Sequence, residues 1–336
     1  MATESSAKRS LRGWIALSGL AAAVLAFSAP FARAASQPAK VTIHIPSKSL
    51  SLMPFYFGKD KGFFPREVID MQLVQMGPPT AIAALVAGEL DFSTTLGAAT
   101  SAIMQGHPLK RIFYVQTDPA HVLVGQPEIK SVQELIGKVV AVNAITDATG
   151  MAARLILRGN GIDPARVTLL ATGVPDNTYK ALTTRNVAAA MMIPPYTEEL
   201  EAKGYTHLAD AKTYAPISFI GLVASTNTLT RNTIKAQALI AGLLKTLAYL
   251  HDPTNRKEVV QYIAAFHKID APIADKAFAS ILSSFSKDGT KPRKAIEREI
   301  EIYRETLKIS KTFTPDDLED LSLLKKLQEG SAVPAR

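Results

Sequence analysis

Asp147 lies in the stretch VNAITDATGM (142–151), where an apolar run, Val139 to Val142, breaks into two threonines, an aspartate and a glycine. Apolar spacing resumes at once in MAARLIL. Five other strand-like runs end in a similar way, at SKSLS (47–51), GPPT (77–80), STTLG (93–97), GVPDN (173–177) and IPPY (193–196). Hydroxyls, amides and the free backbone N–H groups of helix starts hold a small molecule reversibly. They do not by themselves break bonds. The candidate contacts on these corners are Ser49, Ser51, Pro79, Thr80, Thr94, Thr95, Thr146, Asp147, Thr149, Asp176 and Asn177, with Thr117 added after IFYVQ as a hinge or contact residue.

Bond-breaking chemistry finds no matching pattern. Six histidines are scattered with no H-E-x-x-H spacing, and no G-x-S-x-G, P-loop or G-x-G-x-x-G motif occurs. Cysteine is absent. We therefore expect no catalytic residue, no metal and no cofactor. His44, inside the first apolar run, reads as a satisfied core or cleft-floor group.

Two roles are open for Asp147. It caps a helix N-terminus, or it meets a cationic or hydrogen-bond-donating ligand. Either role argues against a small, hard anion, because the carboxylate occupies the field an anion would use. Asp176 is ambiguous in the same way. Lys48 balances one of these charges or is solvated. Phe57 and Phe64 are expected to pack, with Phe55 or Tyr56 a candidate to reach the ligand.

These corners need elements to position them. The first residues stand apart: Lys8, Arg9 and Arg12 precede an uncharged, mostly apolar stretch from Trp14 to Phe27, and Ala32-Arg33-Ala34 fits a small-x-small cleavage rule. This is the pattern of a secretory signal peptide, residues 1–34, too short in its apolar part for a spanning helix. Its removal leaves 302 of the 336 residues, a size that predicts two lobes. It also takes away four basic residues and one acid, lowering the formal charge from +8 to +5. That is not a nucleic-acid footprint. Without cysteine there is no lipid-modified N-terminal cysteine and no disulfide, so stability must come from the core.

From 41 to 225, β-branched runs alternate with helical patterns, which predicts parallel α/β sheet. SVQE (131–134) and Thr314 to Asp317 have the spacing of helix starts. From about 228 the pattern is nearly all helical. Leu239, Leu243, Leu247 and Leu250 form one stripe; Ile296, Ile300, Tyr303 and Leu307 form another, with Glu301 and Arg304 paired outside. The chain also echoes itself: 40–92 and 138–190 share a βαβαβ order. KVTIHIP matches KVVAVNA, SKSLS matches ITDAT, and GPPTAIAAL matches GVPDNTYKAL. In such a sheet, ligands sit beyond the strand ends. Two echoing lobes face to face would make a polar cleft, with ITDATG on one jaw and SKSLS on the other.

From about 40 to 310 the chain resembles the periplasmic substrate-binding proteins of ABC importers, in the nitrate, alkanesulfonate, taurine and thiamine-precursor class. The residues that carry the resemblance are PFYFGKDKGFF (54–64), ALVAGELDF (84–92), LVGQPEIKSVQELIGKVVAVN (123–143) and GLVASTNTL (221–229). The resemblance implies an α/β fold of two Rossmann-like lobes with a ligand cleft between them, joined by two crossover strands near 117–127 and 213–225, plus C-terminal helices. Lobe 1 is then 35–118 and 220–336, and lobe 2 is 119–219. It implies a monomeric periplasmic receptor, not an enzyme, that passes a small organic solute to an ABC permease and its ATPase, with no membrane anchor. The alternative is an enzyme of the thiamine-pyrimidine-synthase type, or a stand-alone sensor, on the same fold; the cysteine-rich segment of that synthase has no counterpart here. The chain departs from its relatives at Thr146-Asp147, where sulfonate and taurine binders often carry Gly-Ser.

Overall fold

The computed structural model describes residues 38–65 and 68–331. The predicted leader, its cleavage point at Ala34 and the last residues of the EGSAVPAR tail lie outside the described residues. Short β-branched runs pair into two five-stranded mixed sheets. The first is built from β1 (Ala39–Ile45), α1 (Met53–Asp60), β2 (Ile69–Gln75), α2 (Pro78–Ala87), β3 (Phe92–Thr95), α3 (Leu96–Met104) and β4 (Leu109–Tyr114). The second is built from β5 (Val122–Gly125), β6 (Val139–Val142), α4 (Ala148–Gly159), β7 (Thr168–Ala171), α5 (Pro175–Thr183), β8 (Ala189–Met192), α6 (Tyr196–Ala202) and β9 (Thr206–Asp210). After α7 (Ala211–Tyr214), the chain returns as β10 (Ile220–Ser225) to the first sheet.

The echo in the sequence is an echo in topology. The strand orders are β2-β1-β3-β10-β4 and β7-β6-β8-β5-β9, position for position the same arrangement. In each, the leading strand pairs in parallel with the next two, and the fourth position is antiparallel to its neighbours. That antiparallel strand is β5 or β10, the one that arrives from the other half. The chain passes between sheets at 115–121 and 211–219. These passages are not regular strands: one bears a single antiparallel bridge, Gln116 to Phe285, and the other contains α7.

Local chemistry explains the element ends. α2 starts with Gly77 at its N-cap and Pro78 at N1, where the missing N–H costs nothing, and stops at Gly88 with φ +82°. Thr314 and Asp317 form the expected capping box, opening α13 (Pro315–Leu318) after α8 (Thr226–Arg231), α9 (Thr233–His251), α10 (Arg256–His267), α11 (Ala271–Leu282) and α12 (Arg293–Leu307). α14 (Ser322–Ser331) closes the described chain. SVQE does less than its spacing predicts. Residues 132–135 form only a 3-10 turn, because the Ser131 hydroxyl donates to Glu134 and caps no N–H.

The leucine stripe of α9 is buried, as are Ile296, Ile300 and Tyr303 of α12, with Leu307 half-buried. Glu301 and Arg304 pair on the outer face at 2.8 Å. Phe55, Tyr56 and Phe57 all pack inward, Tyr56 stacking on Phe266 at 4.3 Å, so none of them is free to reach a ligand. Beneath the first sheet lies a buried ionic group. Arg111 Nη1 meets Glu299 Oε1 at 2.8 Å, and Ser218 Oγ donates to Glu299 Oε2 at 2.7 Å. Lys291 Nζ stands 3.5 Å from the same oxygen. Removing one partner of such a pair leaves a buried charge and costs about 3–5 kcal/mol. The group ties β4, α12 and the return passage together just ahead of Phe219. Among the described residues no helix is long and apolar enough to cross a membrane.

Candidate functional site

The carboxyl ends of strands in the two sheets point at one another. The corner after β1, the α3 N-terminus, the corner after β6 and both passages enclose a cavity of about 30 Å³. From the first sheet come Pro46, Ser47, Ser49, Ser51, Leu52, Pro78, Thr95, Gly97 and Ala98. From the second come Asn143, Asp147, Ala148, Thr149, Pro175 and Ile193, and from the passages and the start of β10 come His121, Phe219 and Ile220. A cavity this size holds one or two waters.

Asp147 is the N-cap of α4. Its Oδ1 accepts from the Thr149 amide at 2.8 Å, the Thr149 hydroxyl at 2.6 Å and the Gly150 amide at 3.1 Å. Thr149 Oγ1 accepts in turn from the Asn143 amide at 2.9 Å, and Asn143 Oδ1 accepts from Thr178 at 3.0 Å. The side chain is only 5 % exposed and takes part in no ion pair among the described residues. Burial pushes its pKa up to about 6, against the Thr149 and Gly150 hydrogen bonds that hold it down.

His121 stacks on Phe219, ring centroids 4.1 Å apart, so the two passages touch at the cavity wall. Burial pushes the His121 pKa down to about 3, and its Nδ1 has no partner. Ser51 Oγ, fully buried, also has no partner. Buried polar atoms left unpaired cost about 1–3 kcal/mol each, so their presence in a cavity wall marks a place for a ligand or water. Ser47 and Ser49 share a hydroxyl contact of 3.0 Å.

The two halves meet closely around this cavity. The Leu50 amide donates to the Pro194 carbonyl at 3.2 Å, and Ser101 Oγ to the Thr146 carbonyl at 3.2 Å. Gly97 is required by the approach: a Cβ there would stand 2.6 Å from the Ala148 Cβ and 2.9 Å from the Tyr303 hydroxyl.

The cavity brings together five of the sequence-predicted residues, Ser49, Ser51, Thr95, Asp147 and Thr149. It does not bring in the other seven. Pro79 and Thr80 are exposed on α2, one and two residues past the lining Pro78. Thr94 is buried behind the wall with its hydroxyl unpartnered. Thr117 is half-buried on a passage and contacts Asp118 and the Ser284 carbonyl. Thr146 is exposed and offers only its carbonyl to Ser101. Asp176 and Asn177 are exposed on α5, Asp176 accepting from Tyr196 at 2.5 Å and Asn177 donating to the Thr172 carbonyl at 3.0 Å. Lys48 is exposed.

His121, Phe219 and Asn143 also line the cavity, though the sequence did not single them out. Asn143 directly follows β6, a signal that was legible. His121 and Phe219 lie in the passages, where no periodicity points to a ligand. His44, by contrast, is the satisfied group its place predicts, bonded to Ser93 and the Met76 carbonyl at 3.0 Å each.

A larger hollow of about 550 Å³ is lined by Pro194 and the passage residues Asp118, Pro119 and Ala120, together with residues of α6, β9 and α11. Glu198 lines it with one unpartnered oxygen. Two of its other carboxylates are already matched, Glu201 by His207 at 2.8 Å and Lys276 at 3.8 Å, and Asp210 by His207 at 3.4 Å. No group of three or more metal-binding side chains is gathered among the described residues.

The family model described as NMT1/THI5 like matches residues 50–255. No curated protein sequence matches the chain. Among solved structures, a Bordetella bronchiseptica RB50 protein is similar over 88% of this chain and 99% of its own, at 19% identity and a TM-score of 0.76. The periplasmic nitrate-binding protein from Synechocystis PCC 6803 is similar over 89% and 90%, at 14% identity and a TM-score of 0.71. The alkanesulfonate-binding protein from Xanthomonas axonopodis pv. citri, bound to MOPS, is similar over 87% and 98%, at 18% identity and a TM-score of 0.67. At these identities the likeness is one of fold, a two-sheet periplasmic-binding-protein architecture.

Proposed function

The chain belongs to the NMT1/THI5-like family, and from that premise we propose that it is a periplasmic receptor that captures a small organic solute for an ABC importer. The observation that carries this reading is the cavity where equivalent strand tips of the two sheets face each other, lined by Ser51 and His121, each of which has a buried polar atom without a partner. In this reading residues 1–34 are a cleaved export signal. Residues 35–118 with 220–336 form one lobe, and 119–219 form the other. The receptor works as a monomer and meets an inner-membrane permease with its ATPase. It has no catalytic step.

A cavity of 30 Å³ is far below the ~300–1,000 Å³ typical of ligand pockets. A solute therefore enters when the halves part at the passages, and as described the halves stand too close together to hold one. The cysteine-free chain allows a clean test. Cysteines placed at the exposed Glu89 and Thr184, near the ends of α2 and α5, take a donor and an acceptor dye. The expected result is one efficiency without solute and a distinct one with it, reversed on dialysis, with the solute recovered unchanged. Chemical turnover of the solute would favour the enzyme alternative.

A further inference from the structure

We infer that the solute held in this cavity is a small organic base, an amine or ammonium that donates N–H, and not an oxyanion; this deepens the receptor reading and rests on it. The cavity wall contains no lysine or arginine. Its one charged group is the Asp147 carboxylate, which stands on the N-terminus of the twelve-residue α4. A helix start offers its free N–H groups and positive dipole end to an anion. Here the chain supplies that anion itself, through Oδ1 on the Thr149 and Gly150 amides. The facing helix start, α3, also lines the cavity, at Thr95, Gly97 and Ala98, with Ala148 close against Gly97. An entering sulfonate or nitrate would meet a buried carboxylate with no cation to offset it.

Two further observations mark a place for a hydrogen-bonding ligand. Ser51 and His121 both line the cavity and are more than nine-tenths buried, and Ser51 Oγ and His121 Nδ1 have no partner. His121 is kept neutral by burial, so its ring adds no positive charge and has one nitrogen to accept and one N–H to donate. Asp147, at about 6, is still largely the carboxylate at pH 7. Phe219, stacked on His121, closes the wall with an aromatic ring of the kind that attracts cations. The Asp147 carboxylate, with no lysine or arginine in the wall, and the aromatic ring of Phe219 together suit a base.

The test uses the purified exported protein and isothermal titration with four probes: ethylammonium, acetamidinium, nitrate and ethanesulfonate. Binding of at least one base and of neither anion is expected. Asp147→Ser keeps a capping hydroxyl, and Asp147→Asn keeps the side-chain shape, so both variants leave α4 capped. In each, base affinity should fall on the order of 10- to 100-fold, the range for losing a charged hydrogen bond. In Asp147→Ser, ethanesulfonate binding should also appear or strengthen. Mass spectrometry of solute released from freshly purified wild type should find a nitrogenous base. Recovery of a sulfonate or other acid, tighter wild-type binding of either anion, or silence toward both bases would overturn the assignment. Anion binding with reversible closure would do so while leaving the receptor reading intact, whereas turnover of a bound base would remove the receptor reading alone.

Discussion

Gly77 and Gly173 occupy equivalent corners of the two echoing halves, and they face each other: a Cβ on Gly77 would stand 3.4 Å from the Gly173 carbonyl oxygen. Gly173 turns with φ +89°, a conformation that L side chains rarely adopt. The two corners open α2 and α5, so the start of each helix is set against the same feature of the other half. This pairing, with Gly97 against Ala148, defines how near the strand tips come. Predictions about the site follow from that nearness.

Gly97→Ala puts a methyl where Ala148 already is. The two halves must part slightly for it to fit, and overpacking of this kind costs about 1–3 kcal/mol. The expected outcome is solute affinity lowered roughly 5- to 150-fold. Dye-pair efficiency with solute present should shift back toward the solute-free value. Titration calorimetry and the labelled Glu89/Thr184 pair measure the two effects. Unchanged affinity and unchanged closure would show that the contact does not limit the approach.

Ser51→Ala removes a hydroxyl that bonds to nothing in the protein. Deleting an unpartnered buried polar atom relieves its desolvation cost, so the solute-free midpoint in urea should stay the same or rise. Solute affinity should fall by the worth of one hydrogen bond, about 0.5–1.5 kcal/mol. A loss of stability without a loss of affinity would place Ser51 in the framework and not in the site.

Acid should act on His121 and Asp147 in opposite directions. His121 is lowered from 6.5 to about 3, so between those values the unfolded chain binds a proton that the folded one refuses. Stability from this group is present above 6.5 and is lost as pH falls. Asp147 is raised from 3.8 to about 6, so between those values the folded chain holds the extra proton, and stability is lost as pH rises. Each group contributes up to about 1.4 kcal/mol per pH unit. From pH 6 to pH 4, Asp147→Asn should therefore steepen the acid loss of stability by about one proton. His121→Phe should flatten it by about the same amount. Urea melts at several pH values read the slopes, and equal slopes in all three proteins would refute both placements.

Much of the fold was legible because its signals are local. Alternation of β-branched runs with helical spacing located the strands. The repeated Gly-x-Pro corner identified α2 and α5 as equivalents, and the stripe from Leu239 to Leu250 marked α9 as packed. Local signals also have a limit, seen at SVQE: the spacing of a helix start was present, but the hydroxyl of Ser131 turned to Glu134 and only one 3-10 turn formed.

The sequence by itself determined which residues end the strands and that those ends are polar, since both follow from periodicity over a few neighbouring positions. Only the tertiary structure decided which of those polar residues face the cavity. Pro78 lines it while Pro79 and Thr80 face solvent, and Asp147 lines it while Thr146 does not. That choice depends on how one sheet is turned against the other, and contacts far apart in sequence set the turn: Gly77 with Gly173, Gly97 with Ala148, His121 with Phe219. No window of consecutive residues contains either member of such a pair together with its partner.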